Sequence, residues 1–70
     1  MATRRIPEQI GDLPRIGRPA TRALLQAGIT TLADVAALPQ REVEALHGVG
    51  PRAIAILDAA LTARGMSFAP

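Results

Sequence analysis

Glycine and proline interrupt this chain so often that no long element can form. The four longest stretches free of both run from Ala20 to Ala27, Ile29 to Leu38, Gln40 to His47 and Arg52 to Arg64. Each suits a helix of a few turns, and none has the strict alternation of a half-buried strand. Composition agrees: the apolar fraction of 49% is carried by Ala, Leu, Ile and Val, with Phe68 the only aromatic, a mixture that favours helices. The chain reads as all-α, a compact bundle of about five short helices.

The first segment, near Pro7 to Ile10, is one turn at most before Gly11. A second opens at Pro19, tolerated in a first helical turn because the amide it lacks would be unpaired there. It carries Ala20, Ala23, Leu24 and Ala27 at helical spacing and stops at Gly28, a left-handed cap. Thr31 followed by Asp34 resembles a capping box and starts a third helix, with Leu32, Val35 and Ala36 on one side and Pro39 at its end. The fourth, Gln40 to Leu46, buries Val43 and Leu46 and turns Arg41, Glu42 and Glu44 to water. The fifth, Pro51 to Arg64, aligns Ala53, Leu57, Ala60 and Leu61 on a stripe widened by Ile54 and Ile56. Gly65 caps it, and the tail folds back so that Phe68 covers the core.

Seventy residues allow one domain, and chains this short usually need disulfides, a metal or a dense apolar core. With no cysteine and His47 the only histidine, neither a disulfide framework nor a zinc site can be built, and no metal or cofactor is expected. All basic residues are arginine, and Ser67 stands alone in the tail. No covalent nucleophile beside a base can be assembled, so the chain reads as a non-enzyme with no catalytic residue. Glu42 and Glu44, two apart, point differently from a helix and form a solvated face. His47, beside the second hairpin, is placed to approach a phosphate, but a lone histidine reads first as a partly exposed structural residue. A single aromatic excludes modules that stack bases on several rings. No apolar run approaches the roughly 18 residues of a membrane span, and no signal-peptide stretch follows Arg4 and Arg5. A soluble cytoplasmic monomer is expected.

Charge is unevenly placed. Residues 1 to 22 hold Arg4, Arg5, Arg15, Arg18 and Arg22 against Glu8 and Asp12, a net of +3. The remainder, with Arg41, Arg52 and Arg64 against Asp34, Glu42, Glu44 and Asp58, carries −1, which together give the formal +2 of the chain. A basic end of this kind suits a polyanion.

Self-similarity is the most informative pattern. A shift of 33 residues superposes Leu13 on Leu46, Ile16 on Val49, Gly17 on Gly50, Ala20 on Ala53 and Leu24 on Leu57. The two segments read LPRIGRPATRAL and LHGVGPRAIAIL. Each joins an apolar residue, a turn built on an apolar residue and a glycine, and a helix with proline in its first turn and alanine as its first buried residue. In GVGPRA, Gly48 and Gly50 are expected to turn the backbone with positive φ and to leave room for a ligand, while Val49 anchors the turn. Gly50 precedes a helix N-terminus, where unpaired amides such as that of Ala53 and the helix dipole favour an anion. Arg52 can add a charge-assisted hydrogen bond to the same phosphate.

LHGVGPRAIAIL resembles the helix-hairpin-helix motif, a non-sequence-specific DNA-binding element. From Asp12 to Phe68, the landmarks AGITTLADVAAL, VEALHGVGPRAI and ALTARGMSF resemble the C-terminal domain of the bacterial RNA polymerase alpha subunit. The resemblance implies two pseudo-symmetric helix-hairpin-helix units, the first degenerate, in a SAM-domain-like topology. Residues 1–11 would be an arm and short turn, and residues 12–70 the tandem domain. It also implies that both hairpins grip phosphates flanking the minor groove. Gly48, Gly50 and Arg52 match the second hairpin, with Arg52 where the family has a phosphate-contacting lysine. The first hairpin departs from the family. Pro19 falls on its principal minor-groove arginine, Arg22 on a contacting asparagine, and Arg15 on the first hairpin glycine, with Arg18 one position from Pro19. These departures leave backbone binding and remove sequence choice. The chain has neither the subunit's assembly domain nor its linker, and reads as a freestanding bacterial relative, nucleoid-associated when bound.

The expected function is non-sequence-specific binding of double-stranded DNA. Gly48, Val49, Gly50, Arg52 and Ala53 form one hairpin, Arg15, Gly17, Arg18 and Arg22 belong to the other, and Arg4 and Arg5 extend the contact. The competing reading is a small helical protein-interaction module, transcription-associated, that docks through the fourth helix by Glu42 and Glu44. The hairpin mechanism also admits RNA, since the phosphates are shared.

Overall fold

The computed structural model describes residues 9–70. It contains four helices, α1 (Arg18–Gln26), α2 (Leu32–Ala36), α3 (Gln40–Glu44) and α4 (Pro51–Ala63), and no strand among the described residues. The all-α expectation therefore stands, with four helices in place of five. Pro7 and Glu8 of the anticipated first helix, and the arm with Arg4 and Arg5, lie outside the described residues. Gln9 and Ile10 are not helical. The chain turns here instead: Leu13 donates to the Ile10 carbonyl at 2.9 Å, and Gly11, at φ 49°, passes so close to the Thr30 carbonyl that no side chain fits.

Element ends follow the sequence signals. α1 begins one residue before Pro19 and closes with Ile29 donating to the Leu24 carbonyl at 2.8 Å and Gly28 to Leu25 at 3.0 Å. α4 closes identically, Met66 donating to Leu61 at 2.8 Å and Gly65 to Thr62 at 3.0 Å. Both are the paired bonds of a Schellman end. At α2 the Thr31 hydroxyl accepts from the Asp34 amide at 3.1 Å. The reciprocal bond differs from a standard capping box: the Asp34 carboxylate accepts from the Thr30 amide at 3.1 Å, one residue earlier. That amide first, and the Thr31 hydroxyl second, hold the Asp34 carboxyl below the usual aspartate value. α3 stops at Glu44, and Leu46 enters the next turn half-buried.

α4 is the central element, with α2 and α3 both packed against it. Leu24, Leu32, Val35, Val43, Leu57 and Leu61 are essentially sealed from solvent. Burying each such side chain contributes about 1.5 to 3 kcal/mol, which lets a chain without covalent staples fold. Ile16, Leu46, Ile10 and Phe68 pack around this cluster, and the tail returns as expected, with Ala69 donating to the Leu38 carbonyl at 3.0 Å. Asp12 ties the N-terminal side to the bundle. One carboxylate oxygen accepts from the Leu32 amide at the start of α2 (2.8 Å), and the other meets Arg64 at the end of α4 (3.2 Å).

The 33-residue repeat is visible in burial. Leu24 and Leu57 are each 0% exposed, Ala20 and Ala53 are 3% and 5%, and Ile16 and Val49 both pack on the core. The two turns nevertheless differ. In the second, the positive φ falls on Gly48 (105°), while Gly50 is extended at φ −99° and ψ −179°. The expectation of positive φ at both glycines is thus corrected. Gly50 serves as the N-cap of α4, a position that any residue's extended backbone can fill. In the first turn Arg15 occupies the position equivalent to Gly48 and has no positive φ. That conformation moves to Gly17, at 91°.

Candidate nucleic-acid interface

The second turn is locked against the first helix. A Cβ on Gly48 would lie 2.7 Å from the Pro19 carbonyl oxygen and 3.6 Å from the Ala23 Cβ. Only glycine allows that approach. The N-terminal ends of α1 and α4 therefore sit side by side and enclose one groove of about 410 Å³. Arg15, Gly17, Gly48, Gly50, Arg52 and Ala53 line it, together with Ile16, Pro19, Ala20, Pro51 and Ile56. Six of the nine hairpin residues singled out in the sequence thus meet in one place. Val49, 8% exposed, sits beneath the turn as its apolar anchor rather than at the surface. Arg18 and Arg22 line a neighbouring concavity of about 560 Å³ with Gln26 and His47, separated from the groove by Pro19 and Gly48, which line both.

The groove is rich in donors. In α4 the first intrahelical bond is made by Ile54, to Gly50 at 3.1 Å, so the Arg52 and Ala53 amides precede the ladder. In α1 Thr21 makes the first bond, to Gly17 at 3.0 Å, and the Ala20 amide precedes it. Neither helix has a side-chain cap, and the proline in each first turn carries no amide. Unpaired amides at the positive end of a helix dipole are an anion-binding arrangement.

Electrostatics point the same way. Among the described residues no aspartate or glutamate lines either concavity. Asp12 is engaged by Arg64 and the Leu32 amide, Asp34 caps α2, and Glu44 accepts from Gln40 at 2.9 Å. Arg22 and Arg52 are exposed and have no ion-pair partner among the described residues. In the second concavity the sequence reading weighs His47 and sets it aside as structural, and misses Gln26. Gln26 was open to detection, because Arg18, Arg22 and Gln26 follow the four-residue step of one helix face.

Among the described residues no three His, Asp or Glu side chains cluster as metal ligands, and no helix is long and apolar enough to cross a membrane. Comparison with family models, curated proteins and solved structures finds no match to this chain.

Proposed function

We propose that this chain binds double-stranded DNA through its phosphates, with little sequence choice, using the two turns as a paired helix-hairpin-helix unit like the one its sequence resembles. The observation that carries this reading is the groove at which the N-termini of α1 and α4 meet, walled by Arg15 and Arg52, with no carboxylate among the described residues that line it. The Arg52 and Ala53 amides supply backbone donors, and the Arg52 guanidinium adds charge. Arg15, Arg18 and Arg22 extend the basic surface on the α1 side. Reading bases requires side chains that reach their edges, whereas phosphate contacts fix position without sequence information. Pro19, at the centre of this face, has no donor to offer a base.

Salt dependence tests the proposal. With about three to five phosphates neutralised, at a slope of about −0.9 each, affinity for a short duplex falls about 40- to 500-fold between about 50 and 200 mM salt. Fluorescence anisotropy across that range measures it. A complex whose affinity does not change with salt contradicts the proposal. A protein with no duplex affinity that captures a protein partner through α3 supports the interaction-module reading instead.

A further inference from the structure

The concavity beside the groove has a lining of its own. Arg18, Arg22 and Gln26 stand four residues apart on α1, so successive side chains rise about 6 Å along one face. That step is comparable to the separation of adjacent phosphates on one strand. His47, from the second turn, completes the lining with the small residues Pro19, Ala23 and Gly48. Guanidinium, carboxamide and imidazole all donate hydrogen bonds, and among the described residues no carboxylate lines the concavity. Farther along α1 a shallower hollow of about 220 Å³ adds Ala27 and Leu46, so the donor lining gives way to apolar surface past Gln26.

Resting on the DNA-binding reading, we propose that this concavity is a second phosphate seat, which takes the next phosphodiester of the strand held in the groove. Pro19 and Gly48 form the wall common to both seats, so a strand leaving the α4 amides passes over them and runs along α1. Arg22 and Gln26 hold it from α1 and His47 from the second turn. The track ends where Ala27 and Leu46 begin. The seat is therefore defined by α1 and the second turn together, and neither repeat alone contains it.

Three variants and one duplex test the assignment. His47 is exposed, so His47→Glu sets a carboxylate against the phosphate without disturbing the core. Ala33→Glu, at an exposed position of α2 that lines neither concavity, changes net charge equally. Arg52→Gln reports on the groove. The proposal expects duplex affinity to fall about tenfold for His47→Glu, to stay within about twofold for Ala33→Glu, and to fall for Arg52→Gln. If His47→Glu matches Ala33→Glu while Arg52→Gln still weakens binding, the second seat is refuted and the groove reading stands. If Arg52→Gln leaves affinity unchanged, the DNA-binding reading fails at the groove, and the second seat fails with it.

Discussion

Gly48→Ala is expected to destabilise the protein by about 2 to 4 kcal/mol, read as a lowered urea midpoint. Two causes act at one atom. The backbone at φ 105° disfavours any Cβ, and that Cβ would stand 2.7 Å from the Pro19 oxygen and 3.2 Å from the Pro19 carbonyl carbon. A backbone carbonyl at the start of α1 cannot swing aside like the end of a long side chain, so the two helix ends must separate. For a small domain whose total stability is of order 5 kcal/mol, a loss of this size leaves a substantial unfolded fraction. Gly50→Ala is the matched control. Gly50 is extended, and a Cβ there meets nothing within 4 Å. Stability should stay within about 0.5 kcal/mol of the parent. Duplex affinity should fall, because the added methyl stands in the groove where the phosphate approaches. Equal stabilities for Gly48→Ala and the parent would mean that α1 and the second turn are not packed as described.

Arg52→Glu is expected to lower duplex affinity about 100-fold at about 50 mM salt, through the loss of one phosphate contact and the repulsion added in its place. Arg52 is exposed, and no described residue pairs with it, so the urea midpoint should hold within about 0.5 kcal/mol. Arg41→Glu on α3 makes the same change of charge away from both concavities and should weaken binding far less. Equal losses from the two variants would reduce the interaction to overall charge. Undiminished binding by Arg52→Glu would remove the groove from the account.

The helices were legible because their ends are chemically marked. Gly28, Thr31, Pro39, Pro51 and Gly65 each stand within a residue or two of a boundary. The internal repeat brought out both turns and the matched burial of Leu24 with Leu57 and Ala20 with Ala53. What it did not carry is the difference between the turns: in the first the positive φ falls on Gly17, because Arg15 stands where the second has Gly48, and in the second Gly50 is extended. The contact of Gly48 with Pro19 was also hidden, because it arises from the packing of two repeats and leaves no periodic trace. Asp12 is a similar case. Its bonds to Leu32 and Arg64 join positions 20 and 52 residues away. In the site itself, glycines and arginines were recognisable by type and position. Gln26 acquires meaning only once α1 and the second turn line one concavity, and His47, set aside as structural in the sequence, joins it there.

The central claim is that phosphates bind at the joined N-termini of α1 and α4. An NMR titration of the isotopically labelled protein with a short duplex, at about 50 mM and again at about 200 mM salt, tests it most directly. The account predicts salt-sensitive shifts concentrated at residues 15–22 and 48–54, with the Gly50, Arg52 and Ala53 amides among the largest. Shifts confined to α3, or none at either salt concentration, would contradict it.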